Sequence, residues 1–393
     1  MTRRILFWAH LGMGMAAGVA ILIMSATGVL LAFQRQVLQF VDRDLRTVSA
    51  PADTPPRRLG EMLATVTAKA GSLPSGVVVR PSAAASVEFT FGRDRNVYVD
   101  PYTGAVLGEG SRRAREFFAA VERWHRSLGE PLRTRGPLRA LAAAANLVFL
   151  LLVVTGAYLW VARRWSWAAI RSTLLFRSGL QGRARDWNWH HVAGAWCVLP
   201  LLLITLTGVV ISYPWANAWL FRLAGSAAPA RPEAGRPPGR EGSGPARTGE
   251  QPLAADLDRA VAVAGASLPG WRSQSLRVPA PGETTVVVSL DAGTGGEVEK
   301  RMEVVVDTRS GQGARVTRFA DNDLGRRLRA LVRFVHTGEE GGLAGQLIAA
   351  VASAGGALLV WTGLSLALHR LRAARRDARR PPPSAALPQT VQS

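Results

Sequence analysis

Hydrophobic positions in this chain are gathered into four runs, at residues 8–33, 138–162, 191–213 and 343–368. Each is 23–26 residues long and free of charge, apart from Arg139 at the edge of one. An α-helix rises about 1.5 Å per residue, so about 20 apolar residues cross a hydrocarbon layer of roughly 30 Å. The pattern therefore predicts four membrane-spanning helices. The first run follows Arg3 and Arg4, as a secretory signal would. It is longer than the usual signal core of about 7–15 residues, and Leu30-Leu31-Ala32-Phe33-Gln34 is a poor cleavage site. It is read as a retained helix.

Between the runs the hydrophobic period changes. Residues 35–50 continue as a helix until Pro51 to Pro56 break it. Leu59 to Ala70 has helical spacing; Gly76 to Val79, Ser86 to Phe91 and Asn96 to Asp100 read as strands, and Pro101-Tyr102-Thr103-Gly104 as a reverse turn. An amphipathic helix over Arg112 to Leu128 carries Trp124-His125-Arg126. After residues 225–252, whose Gly, Pro, Ala and Arg content predicts a disordered linker, the plan returns. Leu253 to Ala266 is helical, Ser275 to Val278, Thr284 to Leu290 and Arg301 to Asp307 are strands, and Asp307-Thr308-Arg309-Ser310-Gly311 repeats the turn. A helix from Asn322 to Val335 delivers His336.

The predicted organisation is thus helix 8–34, an α+β module at 35–137, helix 138–162, a basic loop at 163–187, helix 188–213, a second α+β module at 214–342, helix 343–370 and a tail at 371–393. Both halves run helix, α+β module, amphipathic helix with a histidine, helix. The fold class expected is a mostly α four-helix membrane bundle with two extracytoplasmic α+β modules. It would be built as a parallel repeat about an axis along the membrane normal.

Charge orients this arrangement. The net charge of +20 is almost all arginine, Lys69 and Lys300 being the only lysines. Arg163, Arg164, Arg171, Arg177, Arg183 and Arg185 crowd the short middle loop, and Arg370, Arg372, Arg375, Arg376, Arg379 and Arg380 the tail. Short basic segments stay in the cytoplasm, so the chain is expected N-in and C-in with both modules outside. The basic balance reads as topology, not as a nucleic-acid surface. One cysteine, Cys197, lies in the third run. An intrachain disulfide, CxxCH haem attachment and thiolate-held zinc or iron–sulfur are thereby excluded.

The histidines carry the chemistry. All six lie at helix ends: His10, His190, His191 and His369 at the cytoplasmic side, His125 and His336 at the outer side. His10 precedes Gly14, Thr27 and Gly28 by 4, 17 and 18 residues, and His190 precedes Gly194, Thr207 and Gly208 by the same offsets. Thr155-Gly156 and Thr362-Gly363 close the second and fourth helices in the same way. Interfacial anchoring explains a single histidine at a membrane boundary. The repeat argues for more, since a two-fold axis sets His10 opposite His190 and His125 opposite His336. Two facing imidazoles are the axial ligands of a b-type haem, and Gly12, Gly14, Gly18, Ala193 and Gly194 permit close approach. Two haem b groups are expected, with His10, His190, His125 and His336 as iron ligands. His191 and His369 lack a repeat partner and remain candidates for the inner pair, for propionate hydrogen bonds or for the interface. Of the two adjacent histidines, His190 is the expected ligand. Zinc would want more donors than the outer histidines with Glu122, Glu339 and Glu340, and no hydrolase spacing is present.

These motifs resemble the PepSY-associated transmembrane family. The residues that carry the likeness are His10 with Thr27-Gly28, Val97 to Gly104, Trp124 to Leu128, His190 to Gly194 with Thr207-Gly208, Val304 to Gly311 and Phe334 to Gly338, spanning 8–370. The chain is similar in particular to iron-regulated members proposed as ferric-siderophore reductases of the bacterial inner membrane. The resemblance implies PepSY-like modules and a di-haem b oxidoreductase. Electrons would pass from a separate donor, a cytoplasmic reductase or quinol, to a periplasmic ferric siderophore lodged between the modules, releasing iron(II). The chain departs from the family's usual residues at His191 and His369. Two rivals are a non-enzymatic membrane protein that binds or restrains a periplasmic partner such as a peptidase, and a haem subunit serving another acceptor.

Overall fold

The computed structural model describes residues 1–92, 94–132, 136–161, 167–228, 253–279, 283, 285–307 and 313–378. Most of the expected linker, the turn at 308–311 and the tail beyond Ala378 lie outside the described residues.

Four long apolar helices are present: α1 (Thr2–Ala32), α5 (Pro137–Trp160), α7 (Gly182–Ser212) and α11 (Gly342–Ala378). Each is long and apolar enough to cross a membrane. Between them in chain order lie α2 (Gln34–Val41), α3 (Leu59–Ala70), α4 (Arg112–Ser127), α6 (Trp167–Leu174), α8 (Pro214–Leu223), α9 (Leu253–Ser267) and α10 (Leu324–Thr337). The spans extend past the apolar runs because the flanking polar residues keep helical hydrogen bonding in water. α7 begins at Gly182 rather than 188, and α11 carries its arginines on as helix to Ala378.

The spanning helices form a square. α1 packs on α5 and α11, and α7 packs on the same two helices from the other side. The equivalent members of the two halves, α1 with α7 and α5 with α11, therefore occupy the diagonals. That is the arrangement in which matching side chains face one another across the centre.

The extramembrane strands are β1 (Gly76–Val79), β2 (Val87–Phe91), β3 (Arg95–Val99), β4 (Val106–Glu109), β5 (Ser273–Arg277), β6 (Thr285–Asp291), β7 (Arg301–Asp307) and β8 (Gly313–Arg318). Here the structure differs from the expectation of two separate modules. All the described strands belong to one antiparallel sheet of order β4-β3-β2-β1-β5-β6-β7-β8. At its centre β1 pairs with β5, Val77 opposite Leu276 and Val79 opposite Gln274. A small sheet alone leaves an open edge; joining two such edges satisfies both sets of backbone groups. The seam is hydrogen-bonded, so no cleft runs between the two half-sheets for a ligand to occupy. β4 and β8, which the sequence pattern did not predict, are the outer strands, β4 pairing back on β3 after the Asp100–Gly104 turn and β8 pairing on β7.

One core serves both halves. α3 and α9 cover one face of the sheet, burying Leu59, Met62, Leu63, Val66, Leu257, Ala260 and Ala264 against Val77, Phe89, Val99, Val286, Val288 and Val304. Asp258 of α9 accepts a hydrogen bond from the Leu59 backbone N–H at 2.9 Å, tying the start of α3 to the other half.

The opposite face of the first half-sheet is anchored to the bundle through a buried polar group. Asp42, just after α2, accepts hydrogen bonds from Arg115 of α4, the Tyr98 hydroxyl of β3 at 3.1 Å and the Ser111 N–H at 2.8 Å. Burial alone would raise the Asp42 carboxyl, but the bonds from Arg115 and Ser111 outweigh it and hold it below the ordinary value. Burial, with Glu88 and Asp42 nearby, pushes the Tyr98 phenol up to about 12.

Two predictions follow from this packing. A side chain at position 76 would meet the Leu276 carbonyl at 2.9 Å and Thr90 Oγ1 at 3.0 Å. Gly76→Val is expected to destabilise the sheet by about 1–3 kcal/mol, read as a lower thermal midpoint and faster protease nicking. Tyr98 ionises at 10.0 when exposed and at about 12 in the fold. Its contribution is therefore whole below pH 10 and is lost as pH rises towards 12. Alkaline melting curves should show that slope, and Tyr98→Phe should flatten it.

Candidate functional site

Thr27 and Gly28 lie near the sheet end of α1, Thr155 and Gly156 near the far end of α5, Thr207 and Gly208 near the sheet end of α7, and Thr362 and Gly363 in the far half of α11. Each threonine holds one histidine. His125 Nδ1 lies 3.1 Å from Thr27 Oγ1, and His336 Nδ1 3.1 Å from Thr207 Oγ1. His10 Nδ1 is 2.9 Å from Thr155 Oγ1, and His190 Nδ1 is 3.0 Å from Thr362 Oγ1.

The direction of these bonds follows from what the threonines already do. Each hydroxyl donates to the carbonyl one turn back in its own helix: Thr27 to Ile23 at 2.6 Å, Thr155 to Leu151 at 2.7 Å, Thr207 to Leu203 at 2.6 Å and Thr362 to Leu358 at 2.7 Å. A hydroxyl has one proton, so the threonine oxygen can only accept from the imidazole. The same result comes independently from carbonyl partners, which never donate. His125 Nδ1 is 2.9 Å from the Met24 carbonyl, and His336 Nδ1 is 2.9 Å from the Ile204 carbonyl. All four rings thus carry the proton on Nδ1 and keep the Nε2 lone pair bare. Among the described residues, no hydrogen bond reaches Nε2 of any of them. This is the state in which imidazole binds a metal, oriented by a hydrogen bond from its other nitrogen.

The glycines are spacers for the rings. A Cβ on Gly156 would lie 3.3 Å from His10 Cε1, one on Gly363 3.3 Å from His190 Cε1, and one on Gly28 3.5 Å from His125 Cε1. Gly208 differs, since its Cβ would meet the Asn146 amide at 2.9 Å. Asn146 is buried in α5 and donates to the Thr205 carbonyl at 3.1 Å. It was missed in the sequence, where a lone amide in an apolar run gave no periodic signal.

The rings form two layers. At the sheet end the His125 and His336 ring centres are 6.3 Å apart, their planes inclined by 66°. α4 and α10 deliver them, each ending just after its histidine, α4 at Leu128 with φ 49° and α10 at Gly338 with φ 75°. Burial, then the neighbouring His336, push His125 down to about 4, and burial lowers His336 too, so both are neutral near pH 7. At the other end His10 lies close enough to His190 to act on it electrostatically. Seventeen residues separate His10 from Thr27 on α1, about 25 Å of helix. Each of the four histidines is half-buried.

The remaining histidines stand apart. His191 has no threonine; its Nδ1 donates to the Trp187 carbonyl at 2.8 Å and its ring stacks on Trp187 at 4.0 Å. His369 is exposed and lies near Asp186. Neither shares the anchorage that His10, His125, His190 and His336 have in common. The described residues hold no group of three or more His, Cys, Asp and Glu side chains able to converge on a metal. The donor set is two nitrogens per layer, too few for a tetrahedral zinc site.

The family model described as PepSY-associated TM region matches residues 7–370. The chain belongs to this family. It is a membrane protein, its four apolar helices agreeing with that assignment. No curated relative matches the chain.

The anchorage itself can be tested. Thr207→Val keeps the shape but removes an acceptor, leaving the His336 N–H on one carbonyl alone. A loss of about 1–3 kcal/mol is expected from that weakened buried donor, measured by thermal unfolding in detergent, whereas Thr207→Ser should behave like the parent.

Proposed function

We propose that this PepSY-associated membrane protein is a di-haem b electron carrier of the bacterial inner membrane that reduces a periplasmic ferric siderophore. The observation that carries the reading is the four-fold anchorage, in which each of four imidazoles is fixed through Nδ1 and bare at Nε2. Spacing supports it. The ring centres of His125 and His336, 6.3 Å apart, are near enough for both imidazoles to hold one group between them.

In this reading His125 and His336 would hold the outer haem, and His10 with His190 the inner one. Haem supplies one-electron chemistry by cycling its iron between ferric and ferrous states. The protein's own residues do the rest. Thr27, Thr155, Thr207 and Thr362 fix the tautomer and azimuth of the ligands, Gly28, Gly156 and Gly363 leave room for the rings, and the apolar bundle excludes water. Each iron(III) taken at the sheet side needs one electron, supplied at the arginine-rich side by a cytoplasmic reductase or a quinol. The closed seam between β1 and β5 favours an approach of the acceptor to the outer layer from beside the sheet. The matched order of helices, strands and threonine anchors supports descent from a duplicated unit with PepSY-like modules. The arginines of residues 163–187 and 370–380 support an N-in, C-in orientation.

An absorption spectrum of the purified, haem-supplemented protein is the direct test, with a Soret band and dithionite-dependent α bands expected. His125→Ala and His336→Ala should each remove about half of the haem, the number of sites being two, and His10→Ala and His190→Ala the other half. A colourless parent protein would sink the electron-transfer reading and favour a binding or restraining role for the extramembrane sheet.

A further inference from the structure

Helices α4 and α10 present their histidines at the ends of matching inward rows. On α4 the row is Phe118, Val121, His125; on α10 it is Arg329, Val332, His336, with the same spacing. Phe118, Val121 and Val332 are buried at 4%, 7% and 8% exposure. Arg329, itself half-buried, thus occupies the position that its counterpart fills with a buried phenylalanine. A guanidinium there is costly unless an anion meets it.

No described anion of the chain does. Among the described residues Arg329 makes no hydrogen bond or ion pair, and burial, with no opposing charge, lowers its affinity for its proton. The acids around α10 are engaged elsewhere. Asp321 accepts from the Arg318 N–H, Asp323 from the Arg326 N–H, and Glu339 faces Arg35 at 3.9 Å. Arg326, one turn earlier, is exposed and has Asp323, and Arg333 lies over the Phe334 ring. Arg327 of the same helix also has a buried Nε without a described partner, but Arg329 is the arginine on the row of Val332 and His336.

Its height also matters. Seven residues before His336 is about 10 Å along the helix, towards the start of α10, which meets Ser226 beyond the ends of α7 and α8. A haem held by His125 and His336 would carry its two carboxylates at that edge, because charge avoids hydrocarbon.

We propose that Arg329 is the carboxylate-binding residue of the outer site, holding the haem propionates through its guanidinium fork. This rests on the haem reading above and goes beyond the axial ligands to a second point of attachment. A fork of N–H donors suits a carboxylate bidentately. The asymmetry between Arg329 and Phe118 then sets one orientation of the macrocycle in an otherwise two-fold environment.

The test uses the full-length protein purified with haem. Arg329→Met keeps length and apolar packing, as the phenylalanine at the matched position indicates is tolerated. It should leave the low-spin spectrum intact, lower the outer-haem midpoint potential because a cation near the iron favours the reduced state, and speed haem loss to apomyoglobin roughly tenfold or more. Arg329→Lys should recover the potential but only part of the retention. A haem-free parent protein would overturn the haem reading and this assignment with it. A haem-loaded Arg329→Met protein with unchanged potential and retention would overturn the assignment alone. So would a change confined to the KM for an anionic ferric chelate, which would give Arg329 to the acceptor.

Discussion

The hydrogen bond from a histidine to a threonine that has already spent its proton is the interaction on which this molecule turns. In a membrane an imidazole pays heavily for an unsatisfied nitrogen, and a backbone has no spare groups to offer it. A threonine inside an apolar helix resolves both problems. Its hydroxyl folds back on the preceding turn, satisfying itself, and the remaining lone pair accepts Nδ1–H. The result is a neutral ring with a known tautomer, a fixed azimuth and a free Nε2. Four such units at two depths define the candidate site.

The rest of the fold serves to bring these units together. The square of α1, α5, α7 and α11 sets matching helices on diagonals, and the outer histidines of the two halves meet with ring centres 6.3 Å apart. His10 and His190 ride on the spanning helices themselves, whereas His125 and His336 come from α4 and α10 outside the spans. Those two helices need outside support. Asp42 provides it for α4, binding Arg115, Ser111 and Tyr98 of the sheet in one buried cluster. Because β1 pairs with β5, the sheet is a single plate over the bundle. A displacement of one half must be shared with the other, which keeps the spacing of the outer rings under common control.

Much of this was legible in the residues. Uncharged runs of about 20 residues can only be membrane spans or deeply buried cores, and four of them in a chain of this size leave no polar shell to make a core. The offsets shared by His10 and His190 marked them as equivalent positions of the two halves, and the recurrence of Thr-Gly marked four positions as special. What those threonines bind was not readable. Thr155 lies 145 residues from His10, and Thr362 lies 172 from His190. No local pattern encodes a contact at that separation. His191 and His369 show the same limit, because adjacent imidazoles look alike in a string of letters and are told apart only by the direction each points from the helix. The position of Arg329 on the inward row was equally silent until Phe118 stood beside it as a counterpart.

The sequence by itself determined the membrane spans, the elements between them other than α6, α8, β4 and β8, and the set of histidines, because these follow from local period and composition. Tertiary structure alone decided that two half-sheets close into one across β1 and β5, since strand pairing depends on which edges meet and not on any residue's own preference. It alone decided which nitrogen of each histidine is left bare, since that depends on a partner brought from a distant helix.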